Sequence, residues 1–106
     1  MAKYMIKASY TADGTKGLLK EGGSSRRATV QKMVGGVGGK LEAFYYAFGD
    51  SDVYAIIDIP DAASAAALSL AINASGTVQL STIPLLTPED IDAASKKSVA
   101  YRAPGA

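Results

Sequence analysis

The chain has 106 residues, 11 Lys+Arg against 10 Asp+Glu, and no His, Cys or Trp. That length makes one domain, and a net charge of +1 lacks the basic surplus with which a dedicated nucleic-acid binder displaces counterions. Without imidazole or thiolate, zinc, haem and iron–sulfur sites of the usual kinds are excluded, as are Ser-His-Asp and Cys-His nucleophile systems.

Residues 3–10 alternate as a strand does, with Tyr4, Ile6, Ala8 and Tyr10 on one side and Lys3, Met5, Lys7 and Ser9 on the other. Residues 11–23 carry four glycines around Leu18-Leu19 and read as a loop with at most one helical turn. Ser24 or Ser25 caps the next helix, whose Val30, Met33, Val34 and Val37 follow helical spacing until Gly35, Gly36, Gly38 and Gly39 end it. An aromatic strand, Lys40 to Phe48, follows, then the turn Gly49-Asp50-Ser51-Asp52 and a third strand, Val53 to Ile59. Pro60 closes that strand, Asp61 caps an Ala-rich helix running to about Ser75, and Gly76 stops it. Thr77 to Leu86 reads as a fourth strand, with Pro84 marking a sheet edge or a bulge. Thr87-Pro88-Glu89-Asp90 is a helix start, complemented by Lys96-Lys97 at the other end.

The order is β-α-β, β-α-β, α. It predicts an α+β fold: a ferredoxin-like split β-α-β domain with a four-stranded antiparallel sheet and an extra C-terminal helix. Residues 1–97 form the domain and 98–106 a tail. Hydrophobic residues make up 48% of the chain, but 19 of them are alanine, and Val, Ile, Leu, Met and Phe supply only 26. Such a core is thin for a free-standing monomer with no disulfide or metal to staple it. The expected remedy is self-association, a second copy covering the sheet face that has no helices. The alternation leaves open whether Tyr45/Ala47 or Phe44/Tyr46/Phe48 face that copy. No charged-then-apolar leader and no apolar run near ~20 residues appears, so a cytoplasmic protein without a membrane or nucleic-acid partner is expected.

Several segments together resemble the GYD domain family: Leu41-Glu-Ala-Phe-Tyr-Tyr-Ala-Phe-Gly49, Asp52-Val-Tyr-Ala-Ile-Ile, Pro60-Asp61, Gly76-Thr-Val78 and Leu86-Thr-Pro-Glu89. The resemblance covers most of residues 3–95 and implies a dimeric α+β barrel. Gly49 and Asp52 match the family's Gly-x-Tyr-Asp turn, whereas its tyrosine position holds Ser51. The turn and its flanking strands are also similar to the ligand-sensing domain of leucine-responsive (feast/famine) regulators.

Gly35-Gly-Val-Gly-Gly-Lys40 is not a phosphate loop. Val34 and Leu41 stand where that motif needs Gly and Ser or Thr, and the run follows a helix instead of leading into one. Arg26-Arg27 lie at a helix start, where the macrodipole disfavours cations, and are the candidate anion site; the alternative is a solvated pair or an intersubunit salt bridge. Lys7, Tyr46, Tyr54 and Asp58 lie on strands that should be neighbours. On one face they would offer Lys7 or Asp58 as a base and Tyr46 or Tyr54 as a donor; otherwise they form a buried pair that sets dimer register. Asp50 and Asp52 are read as turn formers, Tyr4 and Tyr10 as core and rim, and no metal or cofactor is expected. The function expected is binding of a small molecule, an anion included, in the barrel cleft. The alternatives are a cofactor-independent enzyme and a structural assembly module.

Overall fold

The computed structural model describes residues 2–106. They form β1 (Ala2–Tyr10), α1 (Ala12–Glu21), α2 (Gly23–Gly36), β2 (Lys40–Tyr46), β3 (Val53–Ile59), α3 (Ala62–Ala74), β4 (Val78–Leu85) and α4 (Pro88–Ser95). The strands lie in the order β2-β3-β1-β4, and every pairing is antiparallel. This is the ferredoxin-like α+β fold. Pro84 sits on β4, an edge strand, where a missing N–H costs the sheet nothing. The outward edge of β4 is partly closed by the Asn73 amide of α3, which accepts from the Leu80 N–H at 2.9 Å.

Alternation decides the two faces of the sheet. Along β3, Val53, Ala55, Ile57 and Ile59 are buried beneath the helices, while Tyr54, Ile56 and Asp58 point to the other side. Ile57 and Ile59 are all but sealed from solvent and pack with Val34 of α2 and Ala65 and Leu68 of α3. Full burial of each such isoleucine is worth about 1.5–3 kcal/mol. Ala8, Val53 and Val78 make a second cluster, flanked by Tyr10, Phe44, Ile72 and Leu80. The small alanines of α3 let its backbone approach the sheet, and its stripe of Ala65, Leu68 and Ile72 faces inward while Leu70 is exposed.

Two expectations are corrected. Residues 12–21 are helix, not loop: Thr11 caps α1 by accepting from the Gly14 N–H at 3.3 Å, and its own N–H is held by the Thr77 carbonyl at 3.0 Å. The glycines there serve packing more than turning, and of the four only Gly22 has a positive φ, 88°. That value places the break between α1 and α2 at Gly22. The cap of α2 is accordingly Gly22, with no side-chain cap, and Ser24 and Ser25 lie inside the helix. A serine hydroxyl is a favoured cap because it accepts from a free N–H of the first turn, but α1 delivers the chain directly into α2 and the break falls at Gly22.

Candidate functional site

Three of the four strand residues singled out above share the face without helices. Lys7 and Tyr54 are register partners, and the Lys7 ammonium lies 6.0 Å from the centre of the Tyr54 ring. Asp58 is four residues farther along β3, about 13 Å at ~3.3 Å per residue, and pairs with Lys3 at 3.5 Å. A bulge between Leu41 and Ala43 of β2 turns Glu42 toward the same lysine, so Lys3 bridges Glu42 and Asp58. The hydrogen-bonded Glu42 carboxylate, with Asp58 adding to it, holds the Lys3 ammonium above its ordinary pKa. Asp58 Oδ1 is buried without a hydrogen-bond partner.

Tyr46 does not join them. It pairs with Val53, lies on the helix side, meets Phe44 edge-on at 5.3 Å between ring centres, and donates its hydroxyl to the Gly23 carbonyl at 3.0 Å. Tyr45, its neighbour, takes the open face opposite Tyr54. The open alternation of β2 is thereby resolved: Ala43 and Tyr45 face away from the helices, Phe44 and Tyr46 toward them.

Arg26 and Arg27 diverge. With α2 beginning at Gly23, they stand one turn into the helix, about 100° apart around its axis. Arg27 is exposed and lines a groove against β2 with Gln31, Glu42 and Tyr45. Arg26 is half-buried and turns inward. It borders a narrow apolar crevice of about 50 Å³ between the sheet and helices α2 and α3, walled by Ile6, Val30, Met33, Phe44, Leu68 and Ile72. The ion pairs among the described residues all belong to Lys3, so Arg26 has no carboxylate partner; Glu21 lines an adjoining groove without pairing with it.

Tyr10 stands beside Arg26 at the crevice mouth and also borders a wider, open groove of about 440 Å³ with Leu18, Tyr46 and Phe48. Burial pushes the Tyr10 hydroxyl above its ordinary pKa; the nearby Tyr46 adds to the shift and the Arg26 charge opposes it. The Arg26 cation, the Tyr10 phenol and an apolar recess can hold a small anion with a hydrocarbon portion. Tyr10 was read as a rim residue. Its placement at this site follows from its lying on the same alternating side as Ile6 and Ala8, at the end of β1 where α1 begins.

Gly49 and Asp52 belong to the β2–β3 connection. Asp52 reaches across to β1, where its carboxylate accepts from the Tyr10 N–H at 2.9 Å; its own N–H donates to the Ala8 carbonyl at 2.8 Å. It therefore ties the turn to the end of β1 beside Arg26. Gly49 has neither a positive φ nor a neighbour that a Cβ would meet, and Ser51 is buried. Among the described residues no group of three or more acidic side chains could hold a metal ion, and no helix is long and apolar enough to cross a membrane.

No curated protein and no solved structure matches this chain. The GYD domain family model matches residues 4–95, which takes in the sheet from Tyr4 onward, its covering helices and the final helix. By that match the chain belongs to the GYD domain family.

Proposed function

We propose that the protein is a small-molecule binding module whose ligand joins an anionic group to a short apolar portion. The observation that carries this reading is Arg26, a half-buried residue without a carboxylate partner at the mouth of an apolar crevice. A cation held partly out of water is costly unless an anion meets it, and the fork of Arg suits a carboxylate or phosphonate. At about 50 Å³ the crevice is narrow, so the apolar portion it admits is short. Lys7, Asp58, Tyr46 and Tyr54 support an enzyme less well, because they are spread over two faces and ~13 Å of strand.

The reading includes a second copy. The uncovered sheet face carries Met5, Tyr54, Ile56 and Ile83 among its lysines, an apolar surface that a second copy of the same face would cover. Two such faces stacked would hold the strands, and with them Tyr10 and Asp52, in fixed register.

Thermal denaturation with butyrate and butylphosphonate, against n-butanol and inorganic phosphate, tests the site. A ligand at tenfold its Kd stabilises by about 1.4 kcal/mol, roughly 6–11 °C in Tm for a domain of this size. Butyrate or butylphosphonate should raise the Tm, n-butanol should not, and Arg26→Gln should abolish the rise while Arg27→Gln retains it. No rise with either acid, or an undiminished rise in Arg26→Gln, refutes the reading.

A further inference from the structure

We infer that the C-terminal arm, Leu86–Arg102, clasps a second copy of the chain; the inference rests on the pairing proposed above. Every residue from Leu86 to Ala106 is exposed, including Leu86, Ile91, Val99 and Tyr101. The arm is nonetheless built, not frayed. Thr87 and Asp90 form a reciprocal capping box, with N–H bonds of 3.0 and 3.1 Å, and Pro88 opens α4. An isolated helix of eight residues is marginal in water even when capped, and ordinarily its stability comes from packing an apolar face. Every residue of α4 is exposed, so against the described residues of its own chain it buries no apolar face.

Size identifies the occupant. The Cα radius of gyration is 16.9 Å, where a compact chain of this length has about 13 Å, and the longest dimension is 56 Å. The accessible surface is 7225 Å², against about 5,600 Å² for a compact monomer of this mass. The excess is roughly 1,600 Å² per chain and roughly 3,200 Å² for a pair, which falls in the range that obligate homodimers bury. A stacked sheet face with the arm laid across the partner accounts for an area of that size. Charge agrees at the rim: α4 carries Glu89 and Asp92 near its start, and Lys40, which pairs with no carboxylate among the described residues, stands at the exposed edge of the sheet face.

The test reads self-association by sedimentation over a range of concentrations in the full-length chain. Wild type should be a dimer. Ile91→Asp and Tyr101→Asp should each weaken it by roughly 10- to 100-fold, because each places a charge where an apolar side chain is buried. Leu19→Asp, at a still more exposed position on α1 and on neither surface, should leave it unchanged. The chain has no Trp, so Tyr101→Trp supplies a single indole whose emission should be blue-shifted in the dimer and red-shifted on dilution. A monomeric wild type overturns both the pairing and the clasp. A dimer that Ile56→Asp splits but the arm variants leave intact, with a solvent-exposed indole at position 101, overturns the clasp alone. Equal dissociation by Leu19→Asp overturns it too.

Discussion

Two glycines one turn apart in α1 should respond to the same substitution with opposite signs. Gly17 has no atom outside the helix near the place a Cβ would occupy, so Gly17→Ala gains helix propensity and reduces unfolded-state entropy, stabilising by about 0.4–1 kcal/mol. A Cβ on Gly14 would run into the Thr77 carbonyl oxygen and come within 3.1 Å of the Tyr10 ring. That carbonyl cannot easily yield, because the Thr11 N–H at 3.0 Å and the Thr11 hydroxyl at 3.2 Å both donate to it. Overpacking against fixed backbone costs about 1–3 kcal/mol, and each displaced hydrogen bond adds about 0.5–1.5 kcal/mol, which outweighs the propensity gain of ~1 kcal/mol. Gly14→Ala is therefore expected to lose about 1–3 kcal/mol. The two variants should differ in Tm by roughly 6–32 °C at 4–8 °C per kcal/mol, measured by circular dichroism at one protein concentration. If Gly14→Ala melts with Gly17→Ala, α1 is not seated on Thr77 and its docking described here is wrong.

Two further predictions concern the ends of elements. Asp52→Ala leaves the half-buried Tyr10 N–H without its acceptor and should cost about 1–3 kcal/mol in urea denaturation, whereas Asp50→Ala, at an exposed turn position, should stay within about 0.5 kcal/mol of wild type. Equal losses would remove the cross-strand tie from the account. The Ser64 N–H, donating at 2.7 Å, holds the Asp61 carboxyl below its ordinary pKa. Its folded value lies under its unfolded one, so the cap's contribution is present above the ordinary carboxylate range and is lost as pH falls through the folded value. Asp61→Asn keeps a capping oxygen without the titration, so helical dichroism should fall less steeply than wild type between about pH 5 and 2. Superimposable acid limbs would contradict that assignment.

Local chemistry carried the fold a long way. Val53–Ile59, flanked by an acidic turn and Pro60, reads as a strand from its β-branched run, and the structure gives the same limits. Thr87-Pro88-Glu89-Asp90 reads as a helix start because cap, proline and acids each satisfy orphan N–H groups, and the capping box is formed. Residues 11–23 misled for an equally physical reason: glycine lowers helix propensity, and the compensating contact, the Thr77 backbone against Gly14, comes from a residue more than sixty positions away.

What the sequence by itself determined was the order of the strands and of every helix but α1, the two faces of β1, and the chemistry withheld by the absence of His and Cys. Period-two and period-3.6 patterns are local, and composition is independent of geometry. Only the tertiary structure decided which residues meet. Register gave Asp58 to Lys3 instead of Lys7, a bulge brought Glu42 to the same lysine, and Tyr46 went to the helix side. Where α2 begins set the direction of Arg26, and so separated one arginine at an apolar crevice from another in solvent. Pairing register and helix phase arise from contacts distant in the chain, and a shift of one residue reverses the face on which every side chain lies.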